Sequence, residues 1–394
     1  MRVSTPPRLK NSEANGALAI GTLSIALGAV PVFLLGSLAV FIREEIGFSE
    51  LRLGLLASAY YTASALASAP GGRLAERLGG RRGTAAAAVL TLMAMLALAA
   101  IGRSWTALLV CMVFAGIGNG IALPASNLVL ARGVPPSLQG LAFGIKQSSG
   151  PIATLVAGAA VPLVALTIGW RWAFVLVGLA ALPVIAAGRS PSDRPPERVQ
   201  MSGSVPITPL VALAIGAAAA VVGGSSIASF YVESAVAGGL SPAAAGTLLA
   251  VGSVMGILFR ISWGWVAGRW HSAHIPLLGV LLVVGSFGFY MFGQVQRLVP
   301  MVLVTLLTFS TGWAWPAIYN FAIVVRTPVA PAFATGITAT GLYSGGIFGP
   351  VLFGAIVEAR GYETAWLFVS VCVAVGGVLI FMAGRSLERR VAIG

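Results

Sequence analysis

Twelve apolar stretches run along the chain, each close to the roughly 20 residues that a helix needs to cross a hydrocarbon core about 30 Å thick. Short breaks rich in charge, glycine or proline separate them. They predict membrane-spanning helices near 17–40, 52–71, 84–102, 106–131, 139–166, 171–188, 207–231, 242–263, 275–293, 299–323, 332–356 and 364–383. Twelve spans leave almost no chain for a separate soluble domain. The first stretch follows Arg2, Arg8 and Lys10, is long for a signal-peptide core and lacks a small-residue cleavage site, so it is expected to stay as the first span.

The chain repeats itself at an offset of 192 residues. Gly47, Ser49 and Gly54 recur as Gly239, Ser241 and Gly246, and Gly72, Ala75 and Arg77 recur as Gly264, Ala267 and Arg269. Gly120, Pro124 and Ala125 recur as Gly312, Pro316 and Ala317, and Gly144, Ile145, Gly169 and Ala173 as Gly336, Ile337, Gly361 and Ala365. Six spans per half is an even number, so the two halves share one orientation. The expected fold is an all-α membrane protein, with two six-helix bundles related by a parallel pseudo-twofold repeat. Residues 1–188 form the first bundle and its tail, and 207–394 the second. The stretch 189–206, with Arg194, Pro195, Pro196, Glu197 and Arg198, reads as a linker.

Composition agrees: 58% of the 394 residues are hydrophobic and 9% are charged, against about 25% charged in ordinary soluble domains. A formal charge of +13 can suggest nucleic-acid binding, but the positions of the charges point to membrane topology instead. Sixteen of the 24 Lys and Arg residues fall in segments on the side of the termini and six on the other side. This asymmetry predicts a multi-pass protein of the cytoplasmic membrane with both termini cytoplasmic.

Lys146 and Arg260 remain inside predicted spans, while all 11 acidic residues fall in loops, tails or helix ends. An ionisable group at depth is costly and marks a cavity or a partner. Lys146 lies about eight residues into the fifth span, roughly 12 Å at the helical rise, which places it near mid-membrane. The alternative is that it snorkels to the interface. Arg260 lies nearer the cytoplasmic side. Cys111 and Cys372 sit within spans and read as small packing residues, and His271 and His274 are too few and too exposed for a metal site. Gly116, Gly118 and Gly120 mimic a dinucleotide loop, but within an apolar helix they read as helix packing. No nucleotide loop, catalytic triad or cofactor motif is present, so the expectation is no enzyme, no cofactor and transport driven by gradients.

Between spans 2 and 3 stands Gly72-Arg73-Leu74-Ala75-Glu76-Arg77-Leu78-Gly79-Gly80-Arg81-Arg82. It resembles the G-x-L-A-D-R-x-G-R-[RK] signature of the major facilitator superfamily, with Glu76 in place of Asp. The resemblance implies alternating access between two six-helix bundles, with the cavity between them. Gly72, Glu76, Arg77, Arg81 and Arg82 are then gating candidates: glycines permit a tight turn, and a carboxylate among arginines can pair with the other half in one conformation. The second copy, Gly264 to Arg269, has lost the acid. The alternative is that these arginines only anchor the loop inside.

The run Arg260-Ile261-Ser262-Trp263-Gly264-Trp265-Val266-Ala267 resembles the R-P-x-x-G-x-x-A segment of monocarboxylate transporters, and oxalate/formate exchangers carry an arginine in the same helix. That resemblance makes Arg260 a ligand for a substrate carboxylate. Gly256 stands where those transporters place an acid, which argues against proton coupling through that helix. Gly144 to Pro151, and Gly341 to Pro350 in the equivalent helix, supply bending points, with Gly150, Pro151, Gly349 and Pro350 as rocking elements. Tyr60, Tyr61, Asn119, Asn127, Gln147, Trp313, Trp315, Tyr319, Asn320 and Tyr343 are candidate cavity residues.

Taken together, these features predict a secondary transporter for a small organic anion of monocarboxylate type. It would work as an exchanger or a proton-linked symporter and function as a monomer in the bilayer. The expected partners are the anion and the lipid, with a proton or counter-anion and no nucleic acid. The alternatives are a drug exporter of the same fold, which would want a buried acid, and a cyanate- or nitroaromatic-type transporter. A receptor that no longer transports has little use for buried cations, and a membrane enzyme would need a reactive constellation.

Overall fold

In lipid, every backbone N–H and C=O must find its partner within the protein, and for a chain with these apolar runs the helix is the solution. The computed structural model describes residues 11–135, 139–189, 207–267, 274–295, 297–327 and 331–393, and these form helices without a strand among them. Arg2, Arg8, Lys10, Arg269 and His271, and the expected linker beyond Arg189, lie outside the described residues.

Twelve spans result. The first half holds α1 (Asn11–Ser37, continued by Ala39–Ile46), α2 (Glu50–Leu78), α3 (Gly80–Ile101) and α4 (Trp105–Gly133). It continues with α5 (Gln139–Gln147 and Ser149–Ala160, prolonged to Ile168) and α6 (Trp170–Leu179 and Leu182–Ala187). The second half holds α7 (Ile207–Ala237), α8 (Pro242–Ala267), α9 (His274–Gln294) and α10 (Leu298–Leu307, a wide turn over Thr308–Gly312, then Pro316–Arg326). The helical run Pro331–Ile393 turns at Gly361, where φ is 81°, and so makes two spans, α11 (331–360) and α12 (362–393). Ten described segments are long and apolar enough to cross a membrane. One of them is this folded pair, and α2 brings the total to twelve; its Ser, Tyr and Thr residues lower its hydropathy.

The repeat is written in the backbone. Gly47 and Gly239 take φ of 71° and 95°, and Gly169 and Gly361 take 98° and 81°, each pair separated by 192 residues. These turns need left-handed backbone, which glycine adopts without a Cβ clash. Ser49 and its counterpart Ser241 cap the helices that follow, accepting from the backbone N–H groups of Arg52 at 3.4 Å and Ala244 at 3.2 Å.

The turns at Gly47, Gly102, Gly169, Gly239 and Gly361 gather at the end of the bundle opposite the chain termini, called here the far end. The halves meet closely there. A Cβ on Gly54 of α2 would lie 2.3 Å from the Pro350 carbonyl oxygen of α11, and the Leu51 N–H donates to Glu358 Oε1 at 2.9 Å. The largest buried apolar cluster joins α1, α2, α7, α8 and α10, with Phe33, Leu34, Phe230, Tyr231, Phe309 and Trp315 among its members. Leu66, Leu163 and Val299 stay more than 70% exposed on the perimeter, where lipid is their solvent.

One expectation is corrected. α7 continues past 231 to Ala237 and carries Glu233 into a buried position, 6% exposed, so a buried acid is present after all. A carboxylate near the end of a long apolar helix reads from sequence as interfacial, but the packing of α1 over this end covers it.

Candidate functional site

α5 is interrupted where the sequence reads Gln147-Ser148-Ser149-Gly150-Pro151. Pro151 has no N–H, so the carbonyl of Gln147, four residues earlier, has no helical donor. Arg260 of α8 supplies one across the boundary between halves, with Nη1 donating to the Gln147 oxygen. Its Nη2 donates to the Trp313 oxygen at 2.7 Å, in the non-helical stretch that precedes Pro316 in α10. The guanidinium lies over the Trp313 ring, 5.2 Å from the centroid, in a cation–π arrangement. Arg260 is 4% exposed, and its Nε is buried with no hydrogen-bond partner among the described residues. Two irregular helices thus present carbonyl dipoles to one cation. A carbonyl orients an arginine but does not cancel its charge.

Lys146 stands beside the same break in α5. It is 5% exposed and donates to Asn127 Oδ1 of α4. The expected pair of cations is therefore brought to one level, with Arg260 fixed to the backbone of the residue that follows Lys146. Gln147 Nε2 reaches the Pro316 oxygen at 3.4 Å, and Asn320 Nδ2 binds the same oxygen at 2.9 Å. Gly150 borders Arg260: a Cβ there would lie 3.5 Å from Nη1. Pro151 packs across the boundary on Gly256, 3.5 Å from where a Cβ would stand. Trp313 is edge-on to Phe309 at 5.0 Å and tilted against Phe33 of α1 at 6.2 Å, so its ring joins both halves.

Other candidates lie apart from this cluster. The Tyr60 hydroxyl donates to the Gly28 oxygen at 2.6 Å and the Tyr319 hydroxyl to the Leu213 oxygen at 2.8 Å, each within its own half and fully buried. Asn119 donates to Ser64 Oγ at 3.1 Å, also within the first half. Tyr61 sits edge-on to Tyr60 and faces Gly346 of α11. Tyr343 is half-buried one helical turn before Ile347, whose carbonyl accepts from Ser58 Oγ at 2.6 Å.

Among the gating candidates, Gly72 lies in α2 beside Pro124, and Glu76, Arg77 and Arg82 are exposed around the turn at Gly79, where φ is 89°. Arg81 is half-buried, and its carbonyl accepts from Thr84 Oγ1 at 2.8 Å. Gly349 packs on Ser225 of α7, and Pro350 meets Gly54 across the boundary.

Among the described residues an ionic contact between halves lies at the far end, in residues that sequence reasoning passed over. Arg43, in the extension of α1, donates from Nη1 to Glu233 Oε1 of α7 and from Nη2 to Glu50 Oε1 of α2 at 2.9 Å. Its Nε holds the Phe48 oxygen at 2.7 Å. The signal in the sequence was an acid within the last two turns of a long apolar helix. Nearby, on the first half only, Arg171 grips Glu45 with two bonds of 2.6 and 2.7 Å, and these hold the exposed Glu45 carboxyl down to about 2.

A twelve-span bundle with an internal parallel repeat and polar side chains meeting at the boundary between its halves is the architecture of a secondary transporter. The profile of the Major Facilitator Superfamily matches residues 18–330, and the chain belongs to that family. It is a transporter, not an enzyme. Its fold is similar to that of a bacterial homologue of the human lysosomal transporter Spinster in an inward-facing, occupied conformation, with a TM-score of 0.75 and 17% identity over 96% of this chain and 98% of that chain. It is also similar to a D-xylose–proton symporter, with a TM-score of 0.76 and 14% identity over 92% and 96% of the two chains.

Among sequence relatives, a chloramphenicol resistance protein of Streptomyces lividans is 28% identical over 269 residues, 64% of this chain and 67% of that protein. A probable anion transporter 3 of Arabidopsis thaliana chloroplasts is 29% identical over 39% of this chain, and a probable sulfoacetate transporter of Cupriavidus necator 29% identical over 36%. The chain spans 31% and 33% of the lengths of those two relatives.

Proposed function

We propose that this transporter carries a small organic anion by alternating access, with Arg260 as the principal ligand for the anionic group and Lys146 as a second cation at the same level. The observation that carries this reading is the setting of Arg260. Its guanidinium is buried at the boundary between halves and held by two carbonyls and an indole, with no carboxylate among its partners in the described residues. Burying such a charge is costly unless something compensates it, and an anion supplies that compensation in a fork geometry suited to a guanidinium.

Relatives named as anion, sulfoacetate and hexuronate transporters support the class. The likeness of Arg260 to Ala267 with monocarboxylate transporters supports a carboxylate as the anionic group. Exchange for a counter-anion and symport with a proton both fit this arrangement. The Lys/Arg asymmetry supports both termini on the cytoplasmic side, and the reading is completed by a cytoplasmic-membrane protein working as a monomer, with bundles at 1–188 and 207–394.

A second reading, drug export, is favoured by the chloramphenicol resistance relative and by the buried Glu233. Uptake into proteoliposomes separates the two. A panel of small carboxylates and sulfonates is measured with and without a pH gradient, beside a panel of neutral and cationic xenobiotics, for the wild type and Arg260→Gln. Saturable anion uptake that Arg260→Gln abolishes is the expected result. Xenobiotic transport indifferent to Arg260, with no anion transport, would falsify the anion reading.

A further inference from the structure

Glu233 is a buried carboxylate that the central site does not use. Its Oε1 accepts from Arg43, while its Oε2 is buried with no hydrogen-bond partner among the described residues. Arg43 is bound to Glu50 as well, so one guanidinium serves two carboxylates. The two bonds differ in kind. Arg43 and Glu50 belong to the same half, on α1 and α2, whereas Glu233 belongs to the other half, on α7.

The groups facing Glu233 are Arg43 from α1, Glu50 from α2 and Tyr362 from α12, with Glu358 at the end of α11 near enough to feel Arg43. α8 brings Arg260 as its only ionisable residue, and Arg260 is engaged at Gln147 and Trp313. α9 brings only His274 and Tyr290. The cluster of Arg43, Glu233 and Glu50 therefore holds one excess negative charge when both acids are ionised, and a single proton removes it.

A second observation lies along the same seam. Ser226 and Ser229 precede Glu233 at helical spacing on α7, and Ser37 lies on α1 beside the point where Gly36 meets Ala228. The hydroxyls of all three are buried without a hydrogen-bond partner among the described residues. Buried polar atoms are ordinarily satisfied. A row of unsatisfied ones ending at a half-satisfied carboxylate is what a polar passage looks like when its walls have closed, and water satisfies these groups when α1 and α7 part.

We propose that Glu233 is a proton-binding site whose protonation hands Arg43 over to Glu50 and so unlatches the two halves at the far end. The proton comes from water at that face and adds to the free Oε2. The ion pair between Arg43 and Oε1 becomes a bond from a cation to a neutral acid and loses the attraction between opposite charges. Arg43 keeps Glu50 as its counter-ion, so parting the halves leaves no buried arginine uncompensated. The inference rests on the transporter reading but not on the anion, and its test reads conformation in the absence of any substrate.

The test places spin labels at the far end on exposed positions of opposite halves, Arg103→Cys and Ala359→Cys, in a Cys111→Ala, Cys372→Ala background, with the full chain in lipid nanodiscs. Label distances are measured by electron double resonance between pH 5 and pH 8. In the wild type the ratio of open to closed far ends rises as pH falls, by up to tenfold per unit while Glu233 titrates. Glu233→Gln gives a raised open fraction with no pH response, and Glu233→Asp retains a response. Glu50→Gln removes the fallback partner and moves the opening to lower pH. A wild type whose distances ignore pH, a Glu233→Gln variant that keeps the wild-type response, or a Glu50→Gln variant with an unshifted midpoint overturns the proposal. If Glu233→Gln does not fold, the wild-type, Glu233→Asp and Glu50→Gln measurements decide.

Discussion

Arg43, half-buried, and Arg260, buried, both bridge the halves, and they are solvated in opposite ways. Arg43 meets two carboxylates, so its charge is cancelled inside the protein. Arg260 meets two backbone carbonyls and the face of Trp313, so its position is fixed while its charge is left for something else. A neutralised cation makes a good lock and a poor ligand, because an arriving anion would have to displace a bound carboxylate. An oriented but unneutralised cation makes a good ligand. On the proposed function, closure belongs to the far end and recognition to the level of Pro151 and Pro316.

Five substitutions can break or sharpen that comparison. The largest effect on stability is expected from Arg43→Gln, which strands Glu233 in a buried place; thermal unfolding in nanodiscs should show a loss of about 3 kcal/mol. An Arg43→Gln protein as stable as the wild type would mean that the far-end cluster locks nothing. Arg260→Gln should leave the fold intact while anion uptake at sub-saturating substrate falls by about 10- to 100-fold, the worth of a charge-assisted contact. Arg260→Lys should not restore it, since a point charge cannot hold two carbonyls and a carboxylate at once.

Trp313→Leu removes the aromatic face but keeps the carbonyl that Arg260 binds. About 1 kcal/mol of cation–π stabilisation is lost, so apparent affinity should fall about fivefold, read as a change in KM. The smallest effect belongs to the Glu45–Arg171 pair, which is exposed and confined to one half. Its Glu45 carboxyl is depressed from 4.5 to about 2, so the contribution is fully present above pH 4.5 and is lost as pH falls towards 2. Glu45→Gln should cost less than about 1 kcal/mol, less still in high salt, with no change in uptake. A large transport defect there would show that far-end ion pairs act without bridging the halves.

Much of the architecture could be read from the chain because the bilayer imposes one-dimensional rules. Span length, turn glycines and the 192-residue offset are local or periodic, and the paired backbone angles at Gly47 and Gly239 and at Gly169 and Gly361 follow from them. Lys146 and Arg260 could be found for the same reason, since each is a charge inside an apolar run. Arg43 and Glu233 could not, because each stands near a helix end where charge is ordinary, and only the packing of α1 on α7 pairs them and buries Glu233. Tyr60 and Tyr319 looked like cavity residues by type, yet each spends its hydroxyl on a carbonyl of its own half.

By itself the sequence determined the solvent, the number of spans, the duplication and the scarcity of buried charge, since apolar runs of this length can satisfy their backbone in lipid only as helices. Tertiary structure decided which cation is neutralised and which is not. That outcome depends on the Gln147 carbonyl that Pro151 leaves without a donor, on the Trp313 carbonyl opened by the non-helical stretch before Pro316, and on which acid from the other half lies within reach of a guanidinium. Contacts between residues 190 positions apart, such as Arg43 and Glu233, are set by helix packing and leave no periodic trace in the chain.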